Sequence, residues 1–311
     1  MSGETMRAIR MHAFGGPNVL IEETVPRPVP GPGEVLVRIR AVGLNPYEWK
    51  IRKGLYPSGI TFPLIPGSEI AGTVDTLGGG VTELRVGQDV FAATEGTGAY
   101  AEYVVATPAA LALKPSTLDY VQAASVPVGT QTAWQALFDH GKLVAGQTVL
   151  VHAAAGTVGQ FAVQLAKWKG ATVIATASSK NTAFVRALGA DTVVAYDTEQ
   201  FDEVAHDVDL VLDPLGGETQ RRSFGVLRSG GALVALTQPP SADLVRRYGV
   251  HAEIMSMRPS AALLTTIAAL IDKGAIRTIV AEVLPLADAG RGQDDSEHNR
   301  HAPGKIVLRV D

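Results

Sequence analysis

The chain of 311 residues contains no cysteine. That excludes disulfides, thiol nucleophiles and every cysteine-ligated metal site. Positive charge is not in surplus either: the formal net charge is −4, so no basic surface points to nucleic acid. No apolar run reaches the roughly 18 residues of a membrane span. The N-terminus, MSGETMRAIRMHAFGG, lacks an apolar signal core, which predicts a cytoplasmic rather than a secreted protein. What is present is ordinary globular composition, 46% hydrophobic and 19% charged, at a length that suggests about two domains.

Residues 1–121 read as short strands broken by glycine and proline. Glu34–Arg40, Ile70–Val74 and Asp89–Phe91 are β-rich, and PRPVPGPGE is a proline-stiffened connector. Residues 122–258 change texture. Gln122–His140 has helical spacing interrupted by Pro127. Strands at Thr148–His152, Thr172–Ala177, Thr192–Ala195, Val208–Leu212 and Ala232–Leu236 then alternate with helices at Thr157–Lys169, Asn181–Leu188 and Gly217–Leu227. A last strand is expected near Ala252–Met257. Alternation of this kind predicts an α/β doubly wound parallel sheet. Residues 259–311 hold a helix (AALLTTIAALIDKG), a strand-like IRTIVAEVLPL, the polar stretch AGRGQDDSEHNRH, which is either helix or loop, and a closing strand at Gly304–Val310. That strand needs a sheet, and the first domain is its natural host.

Between the strand QTVLV and the helix after it lies HAAAGTVG. A dinucleotide cradle requires a strand, a tight turn of small residues and a helix whose N-terminal N–H groups face the pyrophosphate. Here Ala154-x-Gly156-x-x-Gly159 replaces the usual glycine triad, with Thr157 and Val158 between the last two glycines. Alanine suffices first if its φ stays negative. Gly156 holds the position of closest approach to phosphate, and Gly159 the position where helix packs on strand. The Thr157 hydroxyl either reaches a phosphate oxygen or caps the helix. About 20 residues on, an NAD site usually carries an acid for the ribose hydroxyls. This segment instead has Ser178, Ser179 and Lys180, which suits a 2′-phosphate and favours NADPH (NADP+). The serines can also cap the helix that follows.

These segments resemble the medium-chain dehydrogenase/reductase superfamily: VLVHAAAGTVGQFAVQLAKWKGATVIATAS and ALGADTVVAYD its Rossmann cofactor domain, and GPGEVLVRIRAVGLNP, IPGSEIAGTV, VGQDVFA and GAYAEYVV its GroES-like, mostly-β catalytic domain. GKIVLRV matches the closing strand. Where zinc-dependent members carry ligands, this chain has Asn45, Ser68 and Glu69. A site with an open position requires three protein ligands, and none assembles from the scattered histidines, so no metal is expected. The chain then resembles the zinc-free quinone oxidoreductase (zeta-crystallin-like) branch, with N-P-x-[DE] as Asn45–Glu48 and R-x-G-x-Y as Arg52–Tyr56.

The resemblance implies that Asn45 and Tyr56 lie near the nicotinamide and the substrate. It implies that Thr130 contacts the nicotinamide end, that Tyr196 frames the 2′-phosphate, and that Leu236, Thr237, Gln238, Met255 and Ser256 line the nicotinamide pocket. Lys50 stands where some quinone reductases have a second tyrosine. It either polarises a carbonyl or is structural. The expected reaction is hydride transfer from NADPH to a quinone or an α,β-unsaturated carbonyl in the cleft between the domains, with Asn45, Lys50 and Tyr56 as candidate hydrogen-bond donors to the oxyanion. The group Tyr47, Trp49, Tyr56 and Phe62 reads as core or as a wall for a planar substrate. Two alternatives are an enoyl-thioester reductase, for which Lys50, Arg52 and Lys53 form a small basic cluster, and a non-catalytic NADPH-binding or sensing module. The resemblance also implies a homodimer through the last strand of the cofactor sheet.

Overall fold

The computed structural model describes residues 4–56, 58–94 and 97–310. The chain forms two units. The first comprises Met1–Val128, Pro259–Gly274 and Thr278–Asp311, and the second Gly129–Arg258 with Ala275–Arg277. The first unit runs past residue 121 because a short helix, Tyr120–Ala124, packs on the strands Val35–Gly43 and Glu69–Leu77. Asp119 caps it by accepting the Gln122 N–H at 2.7 Å.

In the first unit, Val35–Gly43 is central. It pairs antiparallel with Glu69–Leu77, with Tyr103–Ala106 and with the closing strand Lys305–Arg309. These neighbours pair both of its edges, and its run VLVRIRAVG is buried apart from Arg38, which is exposed, and Arg40, which is half-buried. Val35, Val37, Ile39 and Val42 form the core with Ile70, Val74, Val90, Ile306 and Leu308. Each such side chain withdrawn from water contributes about 1.5–3 kcal/mol. The closing strand lies between Val35–Gly43 and Val280–Pro285, so residues at the end of the chain complete the sheet begun near residue 35.

The polar stretch after 288 is a helix, Ala289–Glu297. Ala289 joins the core, and one buried cation ties the helix to the rest of the unit. The Arg52 guanidinium, 1% exposed, donates to Gln293 Oε1 at 2.8 Å, to Gly15 O at 2.8 Å and to Glu297 Oε2 at 2.9 Å.

In the second unit six parallel strands stand in the order Thr192–Ala195, Thr172–Ala177, Thr148–Val151, Val208–Asp213, Leu227–Ala235, His251–Ile254. The order reverses beside Thr148–Val151, and such a reversal is where doubly wound sheets bind ligands. The interrupted helical stretch becomes two pieces because Pro127 has no N–H to continue the first. A helix over Pro127–Trp134 is followed by a wide π-type turn, Gln135–His140, closed by Gly141 N–H to Ala136 O at 2.9 Å. One helix, Ala242–Tyr248, goes beyond the sequence reading. Its signals were Ser241, whose Oγ accepts from Leu244 N, and Gly249, left-handed at φ 61°. The last strand ends at Ile254, which puts Met255 and Ser256 just beyond it.

Candidate functional site

The cradle in the second unit is a turn without spare space. Ala153, not Ala154, takes the left-handed conformation, at φ 50°. A Cβ at Gly159 would lie 2.3 Å from Ala153 O and 2.6 Å from Ala154 Cα. Only glycine lets the helix Gly159–Trp168 begin so close to the strand that precedes it. At Gly156 a Cβ would lie 3.2 Å from Ala153 O, which is tight but less severe. Gly129 closes the turn from the side, since a Cβ there would meet Thr157 O at 2.7 Å. No side chain caps the helix, so the capping role open to Thr157 is not taken. The N–H groups of Thr157, Val158 and Gly159 have no partner among the described residues. Three unpaired donors at a helix N-terminus fit a pyrophosphate.

Under the turn, His152 is 1% exposed. Its Nδ1 hydrogen-bonds with Thr176 Oγ1 at 3.1 Å and its Nε2 with Ser223 Oγ at 2.9 Å. Burial brings its pKa down to about 4, against the opposing pull of Asp213. It is a neutral packing residue that ties the cradle strand to its neighbours. Asp213, which the sequence reading did not single out, is fully buried and holds the next loop. It accepts from Leu215 N and Gly216 N at 2.9 Å each and from Gln220 Nε2 at 2.9 Å. Gln238 bonds the same loop through Gly217 N–H, at 2.8 Å. Thr237 Oγ1 is buried without a partner among the described residues, an orphaned donor in the segment expected to meet the nicotinamide. Leu236 is half-buried, Met255 and Thr130 are buried, and Ser256 is exposed.

At the end of Thr172–Ala177, Ser178 is half-buried while Ser179 and Lys180 are exposed. Neither serine caps the helix Thr182–Ala187. Tyr196 is 60% exposed on the neighbouring strand's end. The acid missing from residues 177–181 arrives from elsewhere. Asp197 Oδ1 accepts from Ser179 N at 2.9 Å, and its Oδ2 from Ser179 Oγ at 2.7 Å.

In the first unit the residues matching the zinc positions form a buried polar cluster. Asn45 Nδ2 donates to Ser68 Oγ at 3.0 Å and to Glu69 Oε1 at 2.9 Å, and Asn45 Oδ1 accepts from Lys305 Nζ at 2.5 Å. Both carboxamide protons are thus committed within this unit. Glu69 pairs with the Lys305 ammonium, both side chains being fully buried. Its Oε2 accepts from Val128 N at 2.7 Å. Gly43 allows this approach, because a Cβ there would lie 2.4 Å from Glu69 Oε1. Glu48 accepts from Ser68 N at 3.1 Å, Ser68 Oγ at 2.6 Å and Tyr100 Oη at 3.4 Å, and also from Asn45 N. Burial outweighs these bonds and the nearby Lys305 charge, and pushes the Glu48 carboxyl up to about 7. The set contains neither thiolate nor imidazole, and a lysine ammonium lies among its oxygens. Those donors do not fit a catalytic zinc.

The helix Pro46–Arg52 that follows Asn45 carries the remaining candidates. Lys50 is half-buried, which lowers its pKa, and its Nζ lies 5.6 Å from the Trp49 ring centroid. Tyr47 and Tyr56 are 45% and 40% exposed, with ring centroids 5.7 Å apart. Phe62 instead packs edge-on against Phe14 at 5.0 Å. The four aromatics are therefore not one core group: two form an exposed aromatic pair. The basic cluster is not a free patch either, since Arg52 and Lys53 both pair with Glu297. Among the described residues one trio, Asp294, Glu297 and His298, has metal-like spacing. Its carboxylates are already held by Arg52, Lys53 and Arg300.

Comparison with known proteins gives a consistent result. Residues 31–116 match the family model described as alcohol dehydrogenase GroES-like domain, and residues 188–308 the model described as zinc-binding dehydrogenase. The chain is 31% identical to quinone oxidoreductase of Rattus norvegicus, over 97% of each chain. It is 33% identical to the chloroplast envelope quinone oxidoreductase homolog of Arabidopsis thaliana, over 99% of each. The solved structure of the quinone oxidoreductase from Coxiella burnetii superposes with a TM-score of 0.92 at 32% identity, covering 99% of this chain and 100% of that one. No helix among the described residues is long and apolar enough to cross a membrane.

Proposed function

This chain belongs to the quinone oxidoreductase branch of the medium-chain dehydrogenase/reductase superfamily, and from that membership we propose that it is a zinc-independent, NADPH-dependent reductase of quinones or α,β-unsaturated carbonyls. The observation that carries the proposal is the Lys305 ammonium among Asn45, Ser68 and Glu69, in the place where zinc-dependent relatives are expected to have their metal ligands. An isolated carbonyl reduced there would lack a Lewis acid. Quinones and enones need less activation, because their conjugated systems spread the charge that hydride addition creates.

When bound, the nicotinamide supplies a hydride from its C4. The N–H groups of Thr157, Val158 and Gly159 take the pyrophosphate. Ser178 and Lys180, with Tyr196, supply the contacts that favour a 2′-phosphate. Thr237 Oγ1 offers its free hydroxyl at the nicotinamide end. Tyr56 Oη and Lys50 Nζ donate to the oxyanion as charge develops on it. Lys50, its pKa lowered by burial, releases a proton more readily than a solvated lysine. Asn45, with both amide protons committed, acts through position: it fixes the first turn of the helix that carries Lys50. The exposed Tyr47–Tyr56 pair gives a planar substrate an aromatic face.

The enoyl-thioester alternative loses its anchor, since Arg52 and Lys53 are spent on Glu297. The test is NADPH oxidation with 9,10-phenanthrenequinone, 1,4-benzoquinone, a 2-alkenal and crotonyl-CoA. Turnover on the first three and none on the thioester is expected. Tight NADPH binding without turnover on any of them would instead make the chain a binding module. The acceptor is a small molecule, and the enzyme works as a homodimer. His251–Ile254 is an edge strand with Ile254 44% exposed, and pairing with its copy would cover that edge. A monomer in sedimentation at micromolar concentration would contradict the dimer.

A further inference from the structure

The two strands at one edge of the cofactor sheet leave it side by side, because Ala177 and Ala195 are paired in register. Ser179 lies two residues past the first and Asp197 two past the second. Asp197 takes both hydrogen-bond donors that Ser179 offers: the N–H at 2.9 Å to Oδ1 and 3.2 Å to Oδ2, and the hydroxyl at 2.7 Å to Oδ2. The carboxylate is exposed, and the Ser179 hydroxyl holds its pKa below the usual range. It is therefore an anion at neutral pH. Ser178 and Lys180, on either side of Ser179, have no side-chain hydrogen bond among the described residues.

The end of the second strand is where a dinucleotide site reads the ribose: an acid takes the hydroxyls of NADH, and basic and hydroxyl groups take the 2′-phosphate of NADPH. This chain has both kinds of group at one place. A 2′-phosphate gains the Ser179 donors only by displacing Asp197, and one held by Ser178 and Lys180 without them still lies beside a carboxylate. A 2′-hydroxyl, by contrast, is a donor that a carboxylate accepts. The geometry points to Asp197 as the residue that sets the choice between the two nicotinamide cofactors: it withholds the Ser179 donors from a 2′-phosphate and so admits NADH alongside NADPH. Lys180 and Ser178 pull the other way, and the net preference of the wild-type protein for NADPH is correspondingly small. The inference rests on the second unit being the cofactor site proposed above.

The test is calorimetric titration of the full chain and of the variants Asp197→Ser and Asp197→Asn with NADPH, NADH, 2′-phospho-ADP-ribose and ADP-ribose. Removing one charge next to the phosphate should tighten NADPH and 2′-phospho-ADP-ribose roughly tenfold. NADH and ADP-ribose should weaken or stay unchanged. Asp197→Asn, which keeps an acceptor for the Ser179 N–H, should shift the ratio of dissociation constants in the same direction. A ratio that moves less than twofold in both variants would overturn the proposal, as would an equal loss of affinity for all four ligands, the mark of a residue that only shapes the turn. Binding without turnover on any quinone would refute the reductase reading and leave this ratio as a valid measurement. A wild-type protein that binds none of the four overturns both.

Discussion

Replacing Lys305 by methionine removes the cation from the buried cluster and keeps most of the side chain's volume. Among the described residues Glu69 then retains Asn45 Nδ2 and Val128 N–H as donors, at 2.9 and 2.7 Å, without the ammonium that paired with it. Removing one partner of a buried pair costs about 3–5 kcal/mol, because the remaining charge has been taken from water without compensation. For a unit of this size that corresponds to a midpoint about 6–20 °C lower. The assay is calorimetric unfolding at pH 7 of Lys305→Met, Glu69→Gln and the double variant. The double variant should recover a substantial part of the loss, since neither charge is then left alone. If Lys305→Met unfolds within about 2 °C of the wild type, the pair is not the buried, mutually dependent unit described here and the reasoning fails.

Further outcomes follow from the same geometry. Gly159→Ala places a methyl 2.3 Å from Ala153 O. It should cost about 1–3 kcal/mol and abolish dinucleotide binding, both read in one thermal-shift titration. Glu48 binds its proton more tightly in the folded state, at about 7 against an ordinary 4.5. Its contribution is therefore lost as pH rises through that window, by up to ~3 kcal/mol, and Glu48→Gln should flatten that part of the stability profile between pH 5 and 8. His152 acts in the opposite sense. Held at about 4 against 6.5, it stays neutral when folded, so stability falls as pH drops from 6.5 toward 4. The unfolding free energy of a His152→Asn variant, followed over that range, should lack this slope. Tyr56→Phe should lower kcat on quinones roughly tenfold or more while leaving NADPH binding intact; unchanged turnover removes Tyr56 from the oxyanion's donors.

Much of this architecture could be read locally. The strands Thr172–Ala177 and Thr192–Ala195 have the expected bounds, and the βαβ unit around the cradle is visible because strand, small-residue turn and amphipathic helix follow one another in sequence. What stayed hidden depends on distance along the chain. Lys305 meets Asn45 across 260 residues, and Arg52 meets Gln293 across 241. No periodicity reports such contacts. The signals available were a lysine in the inward-facing closing strand and a polar stretch too charged to stand without a partner. Asp197 and Ser179 are only 18 residues apart, yet their contact depends on strand register, which local pattern does not give. Residues 177–181 hold no acid, and the carboxylate beside them, Asp197, comes from the end of the neighbouring strand.

The central claim is that this chain reduces conjugated acceptors without a metal. The direct measurement is NADPH oxidation with 9,10-phenanthrenequinone by protein dialysed against a chelator, compared with the same protein supplied with zinc. Equal turnover in the two samples is predicted. Turnover that is absent after dialysis and restored by zinc would contradict the account.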